Sequence, residues 1–76
     1  MFTTRLKEAR TKQGLTQQNV ADMLGVAFRT YQDYEGGKTY PSIDRLIKIS
    51  DIFNTSIDYL LGRDEFLASL GVSFGE

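Results

Sequence analysis

The 76 residues read as an all-α fold of five short helices and a tail. Three observations predict it. Apolar residues recur three and four positions apart in short segments, as one buried helix face requires. Side chains that cap helices stand before three of those segments, and glycine or asparagine follows each of them. No stretch sustains the apolar/polar alternation of a strand, and there is no repeat or low-complexity linker.

The first helix is expected over Thr4–Gln13, with Leu6 and Ala9 inward and Gly14 ending it. Thr16 caps the second by offering its hydroxyl to exposed N–H groups of the first turn. Asn19 stands where a capping-box glutamate would serve better. Val20, Ala21 and Leu24 share the second helix's inner face, and Gly25 supplies a left-handed corner after it. The third helix is expected over Phe28–Glu35, with Tyr31 and Tyr34 on one face and Ala27 as a poor cap. Gly36-Gly37-Lys38-Thr39-Tyr40-Pro41 reads as a loop. Ser42 caps a fourth helix over Ile43–Phe53, with Leu46, Ile49 and Phe53 inward and Asn54 as a left-handed stop. Ser56 caps a short fifth helix over Ile57–Leu61, which Gly62 ends.

Composition narrows the function classes. With 41% hydrophobic and 25% charged residues and a single proline, the chain can bury a core and is not a disordered tract. It contains no cysteine and no histidine. Disulfides, thiolate nucleophiles and the usual zinc ligands are therefore excluded, and no cofactor is expected. No Ser/Lys or paired-carboxylate spacing suggests an enzyme, and the serines and aspartates are better explained as caps and surface. No apolar run approaches the ~20 residues that span a bilayer. Met1-Phe2-Thr3-Thr4-Arg5 lacks signal-peptide architecture, so a cytoplasmic location and no membrane partner are expected.

The net charge is −1, unusually low for a nucleic-acid binder. Its distribution is uneven. Residues 1–48 carry eight basic and five acidic side chains, whereas residues 49–76 carry one basic and five acidic ones. The positive part contains Leu15–Gly37, which reads as helix, glycine turn, helix, glycine stop. Such a unit places its second helix in a DNA major groove. If Tyr31 and Tyr34 face the core, the helical period turns Phe28, Arg29, Gln32 and Asp33 toward the groove. Arg29 can bind guanine O6 and N7 with two N–H groups, or else a phosphate. Gln32 can pair with adenine N6 and N7. Phe28 either meets a thymine methyl or packs at the edge of the core. Asp33 can accept from cytosine N4, hold Arg29 one turn away, or repel phosphates. Loss of such a base contact would reduce discrimination by ~1–3 kcal/mol. Gln17, with the free N–H groups of its helix end, can donate to a phosphate, and Gln18 is a further candidate beside it. Arg45 in the first turn of the fourth helix is another phosphate candidate.

Arg5-Leu6-Lys7-Glu8-Ala9-Arg10, Gly14-Leu15-Thr16-Gln17, Val20-Ala21, Leu24-Gly25-Val26, Tyr34-Glu35-Gly36-Gly37-Lys38, Pro41-Ser42 and Ser56–Gly62 occur in a characteristic order. The chain thereby resembles the helix-turn-helix DNA-binding domains of the lambda/434 repressor and Cro type, the XRE-like family, over about residues 4–62. The resemblance implies a compact five-helix lambda-repressor-like domain at 1–62, with 63–76 a C-terminal tail for which a further helix stays open. It implies a homodimer on double-stranded DNA with half-sites ~34 Å apart, controlling transcription by occupancy, most often as a repressor. It also implies that Gln17 and the loop residues Lys38, Thr39 and Tyr40 approach phosphates. Arg10 and Glu35 would form a partly buried ion pair joining the first helix to the end of the third. Arg5, Lys7 and Lys12 are expected on a solvated face that steers DNA at long range.

Tyr59, Leu61, Phe66 and Leu70 are the candidate dimer contacts, while Leu60 is expected in the core. The apolar tail either folds back over its own core or joins that contact. An alternative function is a protein-interaction module, such as an antitoxin or anti-repressor, whose acidic C-terminal part binds a protein partner. The negative total, Ala27 at a cap and Asp33 on the groove face favour that alternative. The ordered motifs with Gln17, Arg29 and Lys38 favour DNA.

Overall fold

Helix α1, Phe2–Lys12, opens the computed structural model, which describes residues 2–63. It is followed by α2 (Gln17–Leu24), α3 (Phe28–Gly36), α4 (Ile43–Ile52) and α5 (Ile57–Leu61). The expected elements are all present, with ends shifted by one or two residues. The largest shift is at the start of α1, which begins at Phe2 instead of Thr4. Phe2 is buried, and its ring lies 5.4 Å from that of Tyr40, so tertiary packing extends the helix by half a turn.

The local signals act as expected where caps decide the outcome. The Thr16 hydroxyl accepts from Asn19 N–H at 3.0 Å. Asn19 does more than the sequence suggested: its Oδ1 accepts from Thr16 N–H at 3.0 Å and completes the reciprocal capping box. Ser42 and Ser56 cap α4 and α5 through Arg45 N–H and Tyr59 N–H. Ala27 makes no side-chain cap. Gly25, at φ 73°, turns α2 sharply toward α3, a conformation that a Cβ would disfavour.

α2 packs on α3, α1 on α3 and α5, and α4 on α2 and α5. Their inner faces meet in one core built from Leu6, Val20, Ala21, Leu24, Tyr31, Tyr34, Leu46, Ile49, Phe53 and Leu60, closed by Phe2 and Ala9. Full burial of a side chain such as Ile49 or Leu60 stabilises the fold by about 1.5–3 kcal/mol. The short α5 is held by Leu60, with Ile57 and Tyr59 packed beside it, and by Arg5. The expectation of a solvated Arg5 is corrected: its Nη1 donates to the Tyr59 carbonyl at 2.7 Å, and the guanidinium lies 4.4 Å from the Tyr59 ring centroid. A flat, weakly hydrated cation can stack and donate at once, so Arg5 fastens α5 to α1. No described helix is long and apolar enough to cross a membrane.

Candidate nucleic-acid interface

α3 is anchored from beneath and from its far end. Tyr31 and Tyr34 sink into the core with their rings edge to face, 6.1 Å between centroids. At the C-terminal end Gly37 takes φ 79°, and its N–H closes the helix on Asp33 and Tyr34 carbonyls. With the tyrosines inward, Phe28, Arg29, Gln32 and Asp33 form the outer row. Phe28 is 40% exposed, so part of its ring stays open on this face. Arg29 is exposed and Gln32 and Asp33 are half-buried. Arg29 Nε lies 3.3 Å from Asp33 Oδ1. Of the three roles considered for Asp33, the fold thus displays the one in which it holds Arg29. The contact uses Nε on a side chain that is 74% exposed, and it does not engage the terminal nitrogens, the pair that reads a guanine edge.

The N-terminus of α2 borders this row. Gln17 Nε2 donates to Glu35 Oε1 at 3.0 Å, and Gln17 Oε1 accepts from Gln32 Nε2 at a long 3.4 Å. Gln17 is therefore engaged by α3 on both sides of its amide and keeps one N–H. Gln18 is exposed and donates along its own helix to Asp22 at 2.9 Å. On the other side of α3, Lys38, Thr39 and Tyr40 are all exposed. Lys38 N–H donates to the Asp33 carbonyl at 3.0 Å, which folds the loop back against the helix end. A Cβ on Gly37 would come within 3.4 Å of Thr3, whereas Gly36 faces open space. Arg45 is exposed, and its Nη1 donates to the Tyr34 hydroxyl at 3.1 Å, so α4 presents it beside α3.

Behind the row lies the expected ion pair. Arg10 Nε donates to Glu35 Oε2 at 2.6 Å and Nη2 to Oε1 at 3.2 Å, with side chains only 11% and 5% exposed. Arg10 Nη1 also donates to the Leu15 carbonyl at 2.8 Å, and the Tyr31 hydroxyl donates to Glu35 Oε2 at 2.6 Å. These bonds govern the protonation of the group. The Glu35 hydrogen bond and charge push Arg10 further up. Burial alone would raise the Glu35 carboxyl, but donors from Arg10, Tyr31 and Gln17 outweigh it and hold the group below its ordinary value. Burial first, then the adjacent carboxylate, pushes the Tyr31 phenol well up.

The sequence pattern of the helix-turn-helix family matches residues 6–60, most of the chain, with α2, α3 and α4 whole and most of α1 and α5. The chain belongs to the helix-turn-helix family. It is 46% identical over 61 residues to the HTH-type transcriptional regulator ImmR of Bacillus subtilis, covering 80% of this chain and 48% of that protein. It is 39% identical over 59 residues to the cryptic phage CTXphi transcriptional repressor RstR of Vibrio cholerae, covering 78% and 53%. A transcriptional regulator from Listeria innocua superposes with a TM-score of 0.72 at 30% identity, over 97% of this chain and 78% of that one. This helix-turn-helix domain spans about half the length of the two regulators it matches by sequence.

Several features of the domain escape a reading of spacing alone. Ile43 and Ile47, one turn apart on α4, are 71% and 45% exposed, and neither was singled out. Their exposure follows from the burial of Leu46, Ile49 and Phe53, which turns the preceding flank outward. Among the dimer candidates, Leu61 is 43% exposed, while Tyr59 is half-buried under Arg5. Phe66 and Leu70 lie outside the described residues.

Proposed function

We propose that this chain is a sequence-specific DNA-binding regulator of transcription, acting as a repressor by occupancy, with α3 in the major groove. One observation carries the reading. The outer row Phe28, Arg29, Gln32 and Asp33 stands on a rigid helix, flanked by the α2 N-terminus on one side and the Lys38–Tyr40 loop on the other. That arrangement offers base-reading groups at the centre and phosphate donors, namely Gln17, Gln18, Lys38, Thr39, Tyr40 and Arg45, at the edges. The names of the related proteins support the same reading. Asp33 was an argument for the protein-interaction alternative, but it is bonded to Arg29 and so does not stand alone before the phosphates.

The proposed assembly is a homodimer, so that two copies of α3 meet half-sites about one helical turn apart. The exposed Leu61, Ile43 and Ile47 support a contact on the α4–α5 side of the domain. The test is fluorescence anisotropy of a labelled random-sequence duplex at several salt concentrations, with an Arg29→Ala/Lys38→Ala double variant beside the parent chain. Binding is expected to weaken steeply with salt, and the variant's slope of log affinity against log salt to flatten by roughly 0.9 per phosphate contact removed. Absence of binding at low salt refutes the reading.

A further inference from the structure

The arginines of the domain are not all held in the same way. Arg10 is paired with Glu35 and Arg29 with Asp33, so a carboxylate offsets each charge. Arg45 is held by a neutral group, the Tyr34 hydroxyl, which accepts from its Nη1 at 3.1 Å. Among the described residues no carboxylate pairs with Arg45. Its backbone is fixed as well, because its N–H donates to the Ser42 cap at 3.2 Å. The holding group is itself immobile: Tyr34 is 3% exposed, with its ring edge to face against the fully buried Tyr31. A phenyl ring would fill the same space, and the hydroxyl is the part that reaches Arg45. Arg45 also stands in the first turn of α4, where the helix dipole disfavours a cation. Helix stability therefore gives no reason for a charge there.

We propose that Tyr34 is a positioning residue whose hydroxyl holds the Arg45 guanidinium ready for a phosphate beside the groove that α3 enters. The inference rests on the DNA-binding reading and deepens it, since Tyr34 is otherwise a core residue. A free arginine gives up rotamer freedom when it meets DNA, whereas a held one has given it up beforehand. A neutral holder leaves the full charge available. A carboxylate in its place would offset that charge and repel the phosphate. One N–H goes to Tyr34, and the guanidinium keeps its other donors for phosphate oxygens. Tyr34 belongs to α3, so the charge is fixed relative to the helix that carries Phe28, Arg29, Gln32 and Asp33. A backbone contact carries no sequence information, so Tyr34 sets affinity and register and leaves base preference to the outer row.

Two measurements on the full chain test it. The first needs no DNA: the heteronuclear NOE of the Arg45 side-chain Nε–H, in mildly acidic buffer, for the parent and Tyr34→Phe. The group is expected to be ordered in the parent and mobile in the variant. An Arg45 that is mobile in the parent overturns the positioning. The second is a double-variant cycle of Tyr34→Phe and Arg45→Met, read by anisotropy of a labelled random-sequence duplex over a salt series. Circular dichroism checks that each variant is folded. Arg45→Met is expected to weaken binding and to flatten the slope of log affinity against log salt by about 0.9, one phosphate contact. Tyr34→Phe alone should weaken binding about three- to tenfold, the value of one hydrogen bond, and keep the parent's slope. Added to Arg45→Met, it should change affinity by less than about twofold. An equal loss in both backgrounds overturns the proposal, because the hydroxyl then acts through the core. An Arg45→Met variant with the parent's affinity and slope overturns it too. Neither the parent's NOE nor Arg45→Met depends on the folding of Tyr34→Phe. A folded parent that binds no duplex at low salt overturns the DNA-binding reading and the proposal with it, and an ordered Arg45 in that protein marks the failure as one of DNA binding.

Discussion

Arg10→Met strands the Glu35 carboxylate inside the domain. The substitution keeps a long apolar stem but removes two donors to Glu35 and one to the Leu15 carbonyl. Glu35, with a side chain 5% exposed, keeps only Tyr31 and Gln17. Removing one partner of a buried pair destabilises by ~3–5 kcal/mol, because the other charge stays desolvated. A domain of this size has a total stability of roughly 4–11 kcal/mol, so the loss takes a large share of it. Urea unfolding followed by circular dichroism at pH 7 should show it. With a slope of about 1 kcal/mol per molar, the midpoint falls by about 3 M or more. The effect also carries a pH signature. Without the Arg10 donors, burial dominates and the Glu35 carboxyl is raised, so mild acid neutralises it and narrows the gap to the parent. A second change, Glu35→Gln on top of Arg10→Met, should recover part of the loss at pH 7. A loss below about 1 kcal/mol, the range of exposed pairs, would refute the reasoning.

In the parent chain Glu35 binds its proton less readily folded than unfolded, so its contribution is complete above its ordinary value of 4.5 and is lost as pH falls through the lower folded value. Tyr31 has the opposite shift: its contribution is complete below its ordinary value of 10.0 and is lost as pH rises toward the higher folded value. Thermal midpoints should therefore decline below about pH 4.5 and above about pH 10, and a Tyr31→Phe variant should lose the alkaline decline attributable to this group. Gly25→Ala meets no atom within 4 Å but keeps φ 73°, so it should cost about 1–2 kcal/mol by backbone strain alone, read by urea unfolding. A neutral outcome would mean that the α2–α3 corner relaxes. Ile43→Asp with Ile47→Asp should leave the helical signal unchanged and shift sedimentation toward the monomer. An unchanged dimer would remove α4 from the proposed contact.

Much of the fold was legible because short-range signals agree with the packing. Gly25, Gly62 and Asn54 are left-handed as their positions suggest, and Thr16, Ser42 and Ser56 cap the helices that follow them. The inward face of α3 could be read from Tyr31 and Tyr34, and that alone set the outward row. The Arg10–Glu35 pair came from resemblance, since nothing in the spacing of two residues on different helices dictates their contact. What escaped reading was set by tertiary geometry. The engagement of Gln17 by Glu35 and Gln32 depends on how closely α2 lies on α3. Arg5 reads as a solvated cation in the sequence because its partner on α5, Tyr59, lies more than fifty residues away. Ile43 and Ile47 look like core residues by type, and only the placement of α4 turns them outward.

The central claim is that α3 and its flanks form the DNA-facing surface, and backbone-amide NMR during titration with a duplex at low salt tests it most directly. The account predicts perturbations concentrated on Thr16–Asn19, Phe28–Asp33, Gly36–Tyr40 and Arg45. Perturbations confined to the acidic stretch from Asp51 to Arg63, with α3 unmoved, would contradict it.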